Sequence, residues 1–214
     1  MEDSMRQRLE FVSEMLEARL GQTGAVAARQ EIMDEFEVVL GQMPYVGGAA
    51  SRMTDFFMRL LGFMAIGRVL QRRGIPTDAI GEIELESFSR QMLTVPENDR
   101  MQAGRQFMSA ENRALIEEQA AHSQERTYAG DFVYDYVEPG PNDNFEFGVN
   151  YRACGFCQFA GRHGDLGILK NICGLDFAAY ELRGIHLERT QTLAGGASYC
   201  NFRFSSKPGL QAKE

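Results

Sequence analysis

Basic runs are missing from this sequence. Lys and Arg total 22 against 30 Asp and Glu, for a formal net charge of −8. The arginines are dispersed among acids, with no aromatic interleaving. A nucleic-acid partner is not expected, because phosphate-backbone binding needs a concentration of positive charge. Long apolar runs are also missing. The most apolar stretch, Asp55 to Leu70, carries Arg59 and Arg68 and falls short of the ~20 residues that span a bilayer. It reads as a buried amphipathic helix, and no membrane association is expected. Residues 1–20 are charged throughout and contain no apolar export segment. The expected location is cytoplasmic, where stable disulfides are rare. No glycine fingerprint for a nucleotide is present, which argues against redox or phosphoryl chemistry. No organic cofactor is expected.

What remains is a globular composition. The chain has 214 residues, 44% hydrophobic and 24% charged. That suits one medium domain, or a helical part joined to a small α/β part. Apolar residues recur at helical spacing over 2–20 (Leu9, Val12, Met15, Leu16, Leu20) and 26–40 (Ile32, Phe36, Val39, Leu40). A third helix is predicted over about 51–72, ended by Gly74 and Pro76. A fourth starts from Thr77 as N-cap and runs toward Met92, and a fifth runs from Ser109 to about Gln124. The Met and Phe stripes on these helices read as core.

The periodicity changes near Gly130. DFVYDYVEP and FEFGVNY alternate like strands and are joined by the turn PGPND. Residues 154–170 return to helical character, with a break around Gly161–Gly164, and a short helix follows through Cys173 to Leu182. IHLERTQTL and ASYCNFRF then read as a second hairpin around AGG. The fold class predicted is α+β, with N-terminal helices packed with a C-terminal antiparallel sheet in the order β-β-α-α-β-β. The expected division is a helical region over 1–125 and an α/β region over 126–214, together one integrated domain. The last eight residues read as a frayed tail.

All four cysteines, Cys154, Cys157, Cys173 and Cys200, lie in this C-terminal part. CGFC sets Cys154 and Cys157 three apart at a strand-to-helix junction. The first turn of a helix favours a thiolate there. A lone CxxC without a second one completes no common zinc framework. On the last two strands Arg189 and Gln191 are expected on one face, and Thr190 and Thr192 on the other. Cys200, Phe202 and Phe204 share a face opposite Asn201 and Arg203. An arginine on a covered sheet face needs a carboxylate, from Asp176, Glu188 or a ligand. His163 reads as lying in an exposed loop and His186 on a strand, neither with catalytic or metal partners at recognisable spacing.

The segment ERTQTLAGGASYCNFRF (188–204), Cys154 after the FGVNY strand, and Cys173 with Asp176 in CGLDF together resemble the L-2-amino-thiazoline-4-carboxylic acid hydrolase family. The family's closing pattern has Asp after the last cysteine, where this chain has Asn201. The resemblance implies a thiol-dependent hydrolase opening a small ring such as a cyclic amidine, thiazoline or lactam. It implies Cys154, Cys173, Cys200 and Asp176 as catalytic residues, with Arg189, Arg203, Thr190, Thr192 and Asn201 binding substrate. No metal is expected in that reaction. The implied partner is a small anionic cyclic substrate, and a homo-oligomer is compatible with the reading. The same residues also allow a non-catalytic small-ligand or metal-binding module, in which Cys154, Cys173 and Cys200 line a chamber around a soft ion such as zinc.

Overall fold

The computed structural model of the chain describes residues 2–48, 52–128 and 130–210. The chain forms two compact units. One comprises Met1–Gln91 with Phe159–Leu175, and the other Met92–Gln158 with Asp176–Glu214.

The first unit is helical. Helix α1, Glu2–Gly41, joins the two predicted helical segments into one element that kinks at Gly21, whose φ of 68° is left-handed and accessible to glycine at little cost. Its buried stripe is Leu9, Val12, Leu16, Ile32, Phe36 and Val39. Helix α2, Arg52–Arg72, is the apolar stretch and buries Phe57, Leu61, Met64 and Ile66. Arg68 lies within it because two carboxylates receive it: Glu35 at 2.9 Å and Asp165 at 2.5 Å. Helix α3 covers Thr77–Leu93. Thr77 is its first residue rather than a cap outside it, since the Ile80 N–H already donates to the Pro76 carbonyl.

One buried group in α3 opposes folding. Glu84 is fully buried, and neither carboxylate oxygen has a hydrogen-bond partner. Burial pushes its carboxyl well above the usual range, with Arg8 acting weakly in the opposite direction. A group whose folded pKa is raised contributes stability that is complete below its unfolded pKa. That contribution is lost as pH rises through the folded value. Glu84→Met removes both orphaned oxygens at nearly constant volume. It is expected to stabilise the protein by about 1–3 kcal/mol at neutral pH. The gain should grow as pH rises above 4.5. Denaturant midpoints at several pH values check both points.

The second unit holds all four strands, and along the chain the elements after Gly130 follow the expected β-β-α-α-β-β order. Helix α4, Glu97–Met108, has no counterpart in the sequence reading. Its EN-DR-Q composition carries few apolar positions, and Pro96 reads as a breaker although it immediately precedes the helix. Helix α5, Ala110–Ser123, is capped by Ser109 as predicted: the serine side chain accepts the Asn112 N–H. Strands β1 (Val133–Val137), β2 (Phe147–Ala153), β3 (Ile185–Glu188) and β4 (Cys200–Ser206) form an antiparallel sheet in the order β1-β2-β4-β3. Helix α6, Gly155–His163, and helix α7, Leu166–Glu181, are separated at Gly164, which has φ of 77°. Both run from one unit's residues into the other's.

Strand alternation sorts the side chains cleanly. Phe147, Val149, Cys200, Phe202, Phe204, Ile185 and Leu187 face one core, with Met108 from α4. Phe107 anchors this core, with ring centroids 5.6 Å from Phe147 and 5.1 Å from Phe204. The tail departs from expectation. The Lys207 N–H donates to the Gly184 carbonyl at 2.9 Å, and Leu210 is buried, so the chain is docked at least to Leu210. Residues 211–214, the rest of the predicted frayed tail, lie outside the described residues.

Candidate active site

The candidate site begins at the junction of β2 and α6. Cys154 is the residue before α6. Its Sγ accepts the Cys157 N–H at 3.3 Å, and its carbonyl accepts the Gln158 N–H at 3.0 Å. Cys154 thus occupies the N-cap position, with sulfur in the role that a serine oxygen usually fills. Gly155 makes this start possible: a Cβ there would overlap the Gly130 carbonyl. Cys154 and Cys157 are both half-buried, and none of the four cysteines is in a disulfide. Burial, and secondarily Cys200, pushes the Cys157 thiol up.

Cys200 sits at the head of β4, paired with Tyr151 of β2. Its Sγ accepts the Leu193 N–H at 3.1 Å. Burial pushes this thiol up; the Leu193 N–H and Arg189 act oppositely, and Asp176 reinforces the rise. Tyr151 links these groups. Burial pushes its phenol well above the ordinary range, and Tyr180, Tyr134, Asp176 and Cys154 add to the shift. Tyr180 is raised in the same way by burial and then by Asp176. These tyrosines escaped the sequence reading. The available signal was alternation, which places Tyr134 and Tyr151 on the face of Cys200.

Asp176 and Arg189 form the charged element. Arg189 Nη1 donates to Asp176 Oδ2 at 2.6 Å. The arginine side chain is only 5% exposed, the aspartate side chain 38%. The Asp176 carboxyl is therefore partly open to solvent while its arginine partner is not. Burial pushes it up to about 6 despite the opposing effect of Arg189. The guanidinium lies 4.9 Å from the ring centres of both Phe177 and Phe202, within cation–π range. Arg189 also lines an open groove of about 320 Å³ with Phe177, Thr190, Gln191, Thr192 and Gly195.

The strand reading of this segment needs correction. β3 ends at Glu188, and Arg189–Thr192 are not in a strand, so the expected two-faced alternation does not apply to them. Asn201 holds the segment instead. Its Oδ1 accepts the Thr190 and Gln191 N–H groups at 3.0 and 2.9 Å, and its Nδ2 donates to Thr190 Oγ1 at 2.8 Å. Thr192 Oγ1 accepts the Gly195 N–H at 3.0 Å and caps the 3₁₀ turn Leu193–Gly195. Asn201→Ala leaves two backbone donors without their acceptor. It is expected to cost about 1–2 kcal/mol in thermal or denaturant unfolding.

Arg203 does not join Arg189. It lies on the sheet face opposite Cys200, where its Nη1 donates to Asn150 Oδ1 at 3.0 Å and to the Phe202 carbonyl at 2.8 Å. Arg189 and Arg203, both implied to bind substrate, therefore take separate partners. Cys173 belongs to the first unit, three residues ahead of Asp176 on α7. His163 is exposed at the end of α6 rather than in a loop, and His186 is exposed on β3. Among the described residues, no three His, Cys, Asp or Glu side chains gather as metal ligands would.

The family model for L-2-amino-thiazoline-4-carboxylic acid hydrolase matches residues 60–204. The chain belongs to this family. The matched span ends at Phe204, within the closing strand on which the sequence resemblance rested. Comparison with curated proteins and with solved structures returned no match. The family is named for a hydrolase, and among the described residues no helix is long and apolar enough to cross a membrane.

Proposed function

We propose that this member of the L-2-amino-thiazoline-4-carboxylic acid hydrolase family is a thiol-dependent hydrolase. It opens a small anionic ring, a cyclic amidine, thiazoline or lactam, without an organic cofactor. The observation that carries the reading is Cys154 at the N-cap of α6, in the same unit as a carboxyl poised near neutrality. A first-turn N–H and the helix dipole stabilise negative charge on sulfur. A carboxyl with a pKa of about 6 is matched to proton transfer near neutral pH.

In the proposed reaction the Cys154 thiolate bonds to the ring carbon that carries two heteroatoms, and the C=N pair of an amidine or thiazoline, or the C=O pair of a lactam, moves onto its heteroatom. Asp176 gives its proton to the ring nitrogen. The bond from that carbon to one ring heteroatom breaks, the departing atom keeps the pair, and a double bond re-forms at the carbon still held by sulfur. Water then bonds to this carbon, one of its protons returning to Asp176 and the other going to the departed atom, and the C–S bond breaks to restore the thiolate. Arg189 is a positioning residue for Asp176 and forms the cationic wall of the groove, where a substrate carboxylate fits. Phe177, 43% exposed, offers a flat surface for the ring. Thr190 and Thr192 shape the groove, with Asn201 setting their backbone. Cys173 precedes Asp176 by one turn of α7, and Cys200 supports the Leu193 turn.

The test is a screen of carboxylated cyclic amidines, thiazolines and small lactams for ring opening, with and without iodoacetamide. Ring opening that is lost when Cys154 is alkylated supports the proposal. No ring opening, or turnover unaffected by full alkylation, overturns it. The pH profile adds a second check. Asp176 donates only while protonated, so turnover is expected to fall as pH rises past about 6. Asp176→Asn should lower turnover and remove that alkaline limb.

A further inference from the structure

The first unit contains a recess of about 280 Å³ between α1 and α2, lined by Met5, Arg8, Phe36, Asp55, Met58 and Arg59. Arg8 is the unusual member. It is 7% exposed, and no carboxylate among the described residues is in ion-pair contact with it. Its Nη1 donates to the Arg59 carbonyl at 3.0 Å, and its guanidinium stacks on Phe63 at 3.8 Å. The only buried side-chain nitrogen or oxygen atoms without partners among the described residues are those of Glu84. Arg8 is itself one of the side chains that line the recess. Glu84 acts on Arg8 through its charge, but burial favours the neutral form of Glu84. A buried guanidinium without a carboxylate is costly unless something else pairs with it.

We propose that this recess binds a small organic monoanion, a carboxylate on a short apolar body, with Arg8 at its base and Arg59 at its rim. The charge count sets the valence. Arg8 and Arg59 are two cations and Asp55 is one anion, which leaves one positive charge. Asp55 and Arg59 are a helical turn apart on α2 but make no ion pair with each other. Asp55 disfavours a dianion such as phosphate. Met5, Phe36 and Met58 supply the apolar wall, and the volume suits a ligand at the small end of the usual range. Gly62 leaves room for the arginine: a Cβ there would come within 3.2 Å of Met5 Sδ and 3.4 Å of Arg8 Nη1. Guanidinium–carboxylate pairing then gives Arg8 the partner that the protein withholds. The site is independent of the thiol chemistry proposed above.

The test uses the full chain labelled at methionine methyls and titrated with hexanoate, hexan-1-ol and inorganic phosphate. Hexanoate is expected to shift the Met5 and Met58 resonances and to bind at least about tenfold more tightly than hexan-1-ol, with phosphate weakest. Asp55→Asn should tighten hexanoate binding several-fold, and Arg59→Gln should weaken it several-fold. Both residues are exposed, so neither change removes core packing. Absence of hexanoate shifts at these methyls overturns the proposal. So does equal binding of hexan-1-ol, phosphate binding as tightly as hexanoate, or affinity unmoved by both variants.

Discussion

Cys154→Ser is expected to lower kcat by about three orders of magnitude or more, with the protein still folded. Serine retains the capping role, since its oxygen accepts the same N–H that the sulfur receives from Cys157 and is a preferred N-cap. Stability should therefore change by less than about 1 kcal/mol. That separation makes the experiment decisive, because a purely structural cysteine would tolerate the exchange. Cys157→Ser and Cys200→Ser serve as controls. Both thiols are pushed up by burial, so smaller losses of turnover are expected, with some loss of stability at the more buried Cys200. If folded Cys154→Ser retains near-normal kcat, the covalent step does not use this residue. Cys173→Ser then becomes the remaining test of the thiol mechanism.

The second large effect is expected from Arg189→Met. It leaves Asp176 without its 2.6 Å partner and removes the cationic wall of the groove. Removing one member of a fully buried pair costs several kcal/mol, whereas exposed pairs contribute little. A half-open aspartate lies between, so a loss of about 2 kcal/mol is expected. The Asp176 carboxyl, already at about 6, should rise further because both effects of Arg189 on it are lowering ones. The alkaline limb of the activity profile is therefore expected to move to higher pH, while KM rises about tenfold or more. Arg189→Lys should not restore KM, since an ammonium lacks the planar fork and stacks less well between Phe177 and Phe202. Rescue of KM by lysine, or an unmoved pH limb, would show that Arg189 acts only as a structural cation.

Much of the fold was legible because periodicity reports local geometry directly. The change from helical to alternating spacing near Gly130 located β1 and β2. The Cys200, Phe202, Phe204 alternation identified the core face of β4, and Ser109 was recognisable as a cap because its side chain acts on a neighbour three residues away. Helix α4 was missed because its sequence is polar and its stability comes from packing of the few residues Phe107 and Met108 supply to the sheet core. The Arg189–Thr192 segment was read as strand because its residues are compatible with one. What prevents the extension is Asn201, which engages two consecutive N–H groups with one carbonyl oxygen.

The sequence by itself determined the fold class, the family pattern and the residue types available for chemistry, because these follow from local spacing and from motifs. It also set Cys154 and Cys157 at a strand-to-helix junction, which is visible in one dimension, without deciding which cysteine attacks. Only the tertiary structure decided which charges meet. Asp176 takes Arg189 while Arg203 turns to Asn150 on the other sheet face, and the charge of Asp176 adds to the rise that burial gives the phenols of Tyr151 and Tyr180. Pairing across 13 residues, or burial of an arginine such as Arg8 with no ion-paired carboxylate among the described residues, depends on where distant elements pack. No local propensity encodes that, because the energy of a charge is set by its surroundings in space and not by its neighbours in the chain.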